Sequence, residues 1–329
     1  MSLRRNPKPM PPQYRTISPG GDAVPFELED EHIRRNEDGP NRQKLPIVVT
    51  CLVALLVAIV GYSVYKGGGE RPPPALSTDA LSKASTSADN ISRMIFCYGD
   101  SLTFGMVPGS KEPFPYALYL QRELNYLFDS TSSASKEVEP TLTEAELQTK
   151  QPATIVQHLG LPGWTATSML NHINDKEVGL CNIIYENPTL SLMIILAGTN
   201  DIGQMSNTSK DAARSIVQSI VGLHQSAFEC AKDAKNYNFH TVAMSIPGAA
   251  FEEAMPVLSE LSSYVNESVK QFATESDGKV TYIEFPFPYD EDDEKWSEDG
   301  IHLSQEGYNM LGKALAPQVK VILEGIHSL

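Results

Sequence analysis

Basic residues are scarce in this chain: 26 Lys and Arg stand against 41 Asp and Glu over 329 residues, a formal charge of −15. So acidic a chain offers no basic surface to offset phosphates, which excludes nucleic acid as a partner. Cysteine is scarce as well, and four in a chain of this length do not make a disulfide scaffold. Internal repeats are absent. Charged residues make up only 20% of the chain and hydrophobic ones 41%, a balance that excludes wholesale disorder.

What the chain does have is one long apolar run. Leu45 to Tyr65 (LPIVVTCLVALLVAIVGYSVY) is 21 residues without a charge. At ~1.5 Å per residue a helix of that length spans ~30 Å, the hydrocarbon thickness of a bilayer. A core helix would carry a polar face, and none is present. A cleavable signal would start near the N-terminus, whereas 44 residues come first and no small-x-small site precedes Lys66. The run reads as a permanent transmembrane signal-anchor helix. Arg34, Arg35, Arg42 and Lys44 precede it, against Lys66 and Arg71 after it. The positive-inside rule then puts the N-terminus in the cytoplasm and the remainder in the lumen or outside. Three glycosylation sequons, at Asn90, Asn207 and Asn266, all follow the span.

The flanks divide the rest of the chain. Residues 1–44 hold seven of the 23 prolines and mixed charge, as a disordered cytoplasmic tail would. Residues 66–91 are rich in Gly, Pro, Ser and Ala, as a flexible stalk would be. Residues 92–329 are long enough for one domain with a substantial core. Outside the tail the chain has 18 basic and 34 acidic residues, so nearly all the acidity lies in the anchored part.

Within 92–329 five apolar runs read as buried strands: Arg93–Tyr98, Thr154–Leu159, Leu190–Ala197, His240–Ile246 and Lys279–Phe285. Helical spacing occupies Pro115–Phe128, Ala212–Ala234, Ala254–Thr274 and Tyr308–Ile326, the last with a kink expected at Pro317. Alternating strands and helices predict an α/β fold with a parallel sheet covered on both faces. Such sheets bind ligands beyond the carboxyl ends of their strands.

Four of those ends carry chemistry-bearing residues. Gly99-Asp100-Ser101-Leu102-Thr103-Phe104-Gly105 follows the first strand and Gly160-Leu161-Pro162-Gly163-Trp164-Thr165 the second. Gly198-Thr199-Asn200-Asp201 follows the third, and Asp299-Gly300-Ile301-His302 lies beyond the fifth. A serine hydroxyl needs a base to take its proton before it can attack. Ser101 at a strand-to-helix turn suits the nucleophile and His302 the base. Asp299, three residues earlier, can orient the imidazole and stabilise its charged form. Acyl transfer also needs donors aimed at the developing oxyanion. The backbone N–H groups of Ser101 and Gly163 and the side-chain amide of Asn200 would supply an oxyanion hole.

GDSLTFG, the Gly163 turn, GTND and DGIH together resemble blocks I, II, III and V of the GDSL/SGNH hydrolase (lipase/esterase) family, whose name records the residues present here as Ser101, Gly163, Asn200 and His302. The resemblance runs from about Arg93 to the C-terminus. It implies a flavodoxin-like three-layer α/β/α sandwich with a five-stranded parallel sheet, and hydrolysis of esters or thioesters with no metal or other cofactor. Asp299 matches the family's Asp three residues before His. Residues 129–153 depart from it as an insertion between the first long helix and the second strand.

Other residues have plainer readings. His158 either lines the pocket or stands on its strand. Asp201 reads as a structural partner in its turn, and Asp100 is a poorer triad acid than Asp299 because it adjoins the serine. Trp164 and Trp296 flank the Gly163 and His302 loops, as pocket walls or as packing. Asp290–Glu294 lacks the glycine and ligand spacing of a calcium loop and reads as a solvated acidic loop. Cys97 should be buried and reduced; Cys181 and Cys230 can pair in an oxidising lumen, and the sequence leaves that open. The function that emerges is a membrane-anchored serine esterase acting on a lipid, an acetylated polysaccharide or a small ester. An acyltransferase using the same triad and a non-catalytic binding module are the alternatives.

Overall fold

The computed structural model describes residues 93–132, 154–205 and 208–326. The expected tail, anchor and stalk (1–91), the sequons at Asn90 and Asn207, and residues 133–153 of the insertion lie outside these residues. Among the described residues, no helix is long and apolar enough to cross a membrane.

In chain order the elements are β1 (Arg93–Gly99), α1 (Ser101–Phe104), α2 (Tyr116–Ser132), β2 (Thr154–Gly160), α3 (Ala166–Asn171), α4 (Leu180–Glu186) and β3 (Leu190–Leu196). They continue with α5 (Thr199–Gly203), α6 (Lys210–Asp233), β4 (His240–Met244), α7 (Ala250–Ala254), α8 (Pro256–Thr274), β5 (Val280–Ile283) and α9 (Gln305–Ile326). The five strands form one parallel sheet in the order β2-β1-β3-β4-β5.

Side chains alternate across the central strands and both faces are covered. Met94, Phe96 and Tyr98 of β1 join Met193 and Ile195 of β3 under α3, α4, α6 and α8. Ile95, Cys97, Leu192 and Ile194 face α2 and α9 on the other side. Burial on both faces is why these strands read as continuous apolar runs rather than alternating ones. The free edge of β2 is blunted by α2: Thr154 N–H donates to Asn125 Oδ1 (3.1 Å) and Val156 N–H to Gln121 Oε1 (2.8 Å).

Three details bear on the expectations. Helix α2 runs to Ser132, so the insertion begins as helix rather than as loop. Helix α9 continues through Pro317, whose ring lies on the exposed side where a missing backbone donor can be replaced by water. The sequon residue Asn266 sits on α8 with its amide committed, since Oδ1 accepts from Ile246 N–H (2.8 Å) and Nδ2 donates to Ile246 O (2.9 Å). Cys181 and Cys230 form a disulfide between α4 and α6, with Cα atoms 5.4 Å apart. Cys97 is a buried free thiol, pushed up to about 12 by burial.

Candidate active site

The carboxyl ends of β1, β2 and β3 and the loop before α9 each contribute one part of the site. After β1 the chain turns at Asp100, whose side chain caps α1 by accepting from Leu102 N–H at 2.9 Å. Ser101 is therefore the first residue of a one-turn helix at the top of the sheet, with its Oγ toward the loop that carries His302.

That loop is built by Asp299. Its Oδ1 accepts from the backbone N–H groups of Ile301 and His302, both at 3.0 Å, and its Oδ2 lies 2.5 Å from His302 Nδ1. Gly300 between them takes φ +65°, and a Cβ on it would fall 2.4 Å from Ala250 Cβ; both facts demand glycine. Ser297 N–H donates to His302 O at 2.8 Å and Trp296 bridges to Leu303, closing the loop. His302 Nε2 then reaches Ser101 Oγ at 2.8 Å. Both residues are nearly buried, at 7% exposure for Ser101 and 6% for His302, so water competes little for the contact. Burial pushes the Asp299 carboxyl up. The hydrogen bond and charge of His302, with the two backbone donors, outweigh that and hold it below the usual range.

The second and third loops are tied together beside the serine. Leu161 N–H donates to Gly99 O at 2.8 Å, which brings the end of β2 against the end of β1. Gly163 follows in the left-handed region, φ +79°, and a Cβ there would enter open space rather than protein. Asn200, on the first turn of α5, donates through Nδ2 to Trp164 O at 3.0 Å. One amide hydrogen is thereby anchored, and a second remains on the same nitrogen. Asp201 Oδ2 accepts from Ala166 N–H at 2.7 Å, and Gln204 Nε2 reaches Gly163 O at 3.4 Å. Asp201 is thus the structural partner expected of it, with its carboxyl pushed up to about 6 by burial.

Ser101, His302 and Asp299 form one hydrogen-bonded chain, and Gly163 and Asn200 lie on the two neighbouring loops. His158 stays on β2, half-buried, with burial lowering its proton affinity. Trp296 is packing: it is buried against Phe285 and Tyr289, and its indole N–H donates to Pro288 O at 3.1 Å. Trp164 is half-buried beside His172, ring centroids 4.9 Å apart. The acidic loop is held by its own backbone, with Asp290 Oδ1 accepting from Asp292 N–H at 3.0 Å and Asp293 paired with Lys295. Among the described residues no three His, Cys, Asp or Glu side chains converge as a metal-ligand set.

Two contributors carry no signal in residue type or spacing: the Trp164 carbonyl that holds Asn200, and the burial of Asp100. Asp100 is wholly inaccessible. Its Oδ2 has no hydrogen-bond partner among the described residues. Burial pushes its carboxyl up to about 7, against the Leu102 N–H and the charge of His302, while Asp201 adds to the rise.

Comparison with known proteins gives a consistent picture. The family model for GDSL-like lipases and acylhydrolases matches residues 97–310. The native aryl esterase of M. smegmatis has a similar solved structure, with TM-score 0.50 and 19% identity over 70% of this chain and 100% of that one. The lipase Lip_vut3 from a goat rumen metagenome gives TM-score 0.50 and 17% identity over 69% of this chain and 97% of that one. At such identities the likeness is one of fold. No curated protein sequence matches the chain.

Proposed function

Because the chain belongs to the GDSL-like lipase/acylhydrolase family of ester-hydrolysing enzymes, we propose that it is a serine esterase with Ser101 as nucleophile, His302 as base and Asp299 as the orienting acid. The observation that carries the proposal is the continuous contact from Asp299 through His302 to Ser101 Oγ.

The reaction follows from those contacts. Ser101 Oγ attacks the ester carbonyl as its proton passes to His302 Nε2, and the imidazolium formed is stabilised by the carboxylate at Nδ1. The carbonyl π pair moves onto oxygen, where the N–H groups of Ser101 and Gly163 and the free Asn200 hydrogen would receive the charge. Collapse breaks the bond to the alcohol oxygen, which leaves with the His302 proton, and an acyl-serine remains. Water then repeats the sequence, its proton going to His302, and releases the acid and Ser101.

The proposed organisation is a cytoplasmic tail (1–44), a membrane anchor (45–65), a stalk (66–91) and a catalytic domain (92–329) in the lumen or outside the cell. The Cys181–Cys230 disulfide supports that side of the membrane, because disulfides persist in oxidising compartments. The substrate is proposed to be a lipid, an acetylated polysaccharide or a small ester. Turnover of p-nitrophenyl esters of graded acyl length by the full chain tests the assignment. Ser101→Ala should lower kcat by on the order of 10⁴–10⁶ with an unchanged melting curve. Undiminished turnover refutes it.

A further inference from the structure

We propose that Asp100 is a positioning residue for the reaction: in its ionised form it acts through His302, adding a second negative charge that favours the imidazolium once the base has taken the Ser101 proton. The inference rests on the triad reading above.

Three observations carry it. Asp100 immediately precedes the nucleophile and is wholly buried, yet only one of its oxygens is used, by Leu102 N–H. Oδ2 has no partner among the described residues. Capping α1 does not require this residue type, because Asn and Ser cap a helix as well as Asp does and bring no charge indoors. A buried carboxyl with an unsatisfied oxygen is costly, so retaining it where a neutral cap would serve points to a use for the charge.

The surroundings say what that use is. Asp100 adjoins Ser101, whose Oγ meets His302 Nε2 at 2.8 Å, and the titratable groups whose charge bears on it are His302 from the loop before α9, Asp201 from α5, Tyr116 from α2 and Tyr308 from α9. Both tyrosines are buried and stay neutral, since burial raises them far above their ordinary range. Asp201 is of like sign and already takes the Ala166 N–H. Of these groups, His302 is the one that can become positive, and it does so when Ser101 attacks. No proton moves to Asp100: the proton stays on Nε2, and the carboxylate stabilises the resulting cation through space, from a different direction than Asp299. Burial pushes the Asp100 carboxyl up to about 7, so its ionisation falls within the working pH range.

The test is the acid limb of kcat/KM for hydrolysis of phenyl acetate by the full chain, for wild type, Asp100→Asn and Ser101→Ala. The amide of Asp100→Asn keeps the cap and loses the charge. Wild type should exceed Asp100→Asn about tenfold in kcat/KM at pH 8, with KM unchanged, and the advantage should vanish by about pH 5 as Asp100 takes up its proton around pH 7. Identical limbs in wild type and Asp100→Asn, with Ser101→Ala inactive, overturn the inference and leave the triad reading intact. Activity in Ser101→Ala overturns the triad reading instead. If Asp100→Asn fails to fold, Asp100→Ser, which also caps a helix without bringing a charge, takes its place with the same expected and contradicting outcomes.

Discussion

His302 Nε2 stands 2.8 Å from Ser101 Oγ although 201 residues separate them in the chain. The contact exists because β1 delivers the serine at its carboxyl end, while the Asp299 turn delivers the histidine to the same end of the sheet. Asp299 has two separable jobs, one per oxygen: Oδ1 folds the loop and Oδ2 orients the ring. Asp299→Asn retains an oxygen for the first job and loses the charge needed for the second. Its kcat should fall by on the order of 10⁴ while its melting temperature changes little. Circular dichroism melts and initial rates on one preparation check both halves.

Asn200 is held to the Gly163 loop by the Trp164 carbonyl, which takes one of its two amide hydrogens, and the proposed mechanism gives the other to the oxyanion. Asn200→Ala should lower kcat by on the order of 10²–10³ and leave KM nearly unchanged, because the oxyanion exists only in the transition state. Steady-state kinetics across a series of ester concentrations separates the two constants. A rise in KM with kcat preserved would place Asn200 in ground-state binding instead.

The disulfide joins α4 to α6 across a sequence separation of 49 residues. Loop-closure entropy for a ring of that size is about 4 kcal/mol. Reduction, or the Cys181→Ala and Cys230→Ala pair, should lower the melting temperature by about 10 °C without touching the site chemistry. Thermal melts with and without a thiol reductant test this; the Cys97 thiol is too deeply buried to exchange in the folded state.

Asp100 should also reveal itself in stability. Burial raises its carboxyl from 3.8 to about 7 in the folded protein, so the folded state keeps a proton that the unfolded chain has already released. Stability attributable to this residue therefore falls as pH rises from about 4 to 7, then levels off. Asp100→Asn escapes that loss. Its stability relative to wild type should climb over the same interval and stay level above it, measured by urea denaturation at each pH. A variant that is slower yet more stable at pH 8 is the combined expectation.

Much of this was legible in the sequence, and what was not has physical causes. All five strands are readable to within two residues at each end because burial on both faces leaves mostly apolar runs such as LSLMIIL. The long helices α6 and α8 are readable from their spacing. The short ones α1, α3, α4, α5 and α7 span at most seven residues, too few for a period of 3.6 to establish itself. The residues that the structure brings together could be singled out because Ser101, Gly163 and Asn200 sit just past strands while Asp299 and His302 share the loop between β5 and α9, and each is of a type that acyl transfer would use. The Trp164 carbonyl holding Asn200 could not be read, since every residue has a carbonyl. The isolation of Asp100 Oδ2 could not either, because only packing decides whether a polar atom finds a partner. The disulfide was one of several open pairings until α4 and α6 were seen side by side.

The most direct test of the central claim is covalent labelling. A fluorophosphonate reacts with a serine only when a neighbouring base activates it, so intact-mass and peptide analysis of the labelled full chain reports nucleophile and base together. The account predicts one adduct per chain, located on Ser101 and lost in His302→Ala. An unlabelled protein, or an adduct on a different serine, would contradict it.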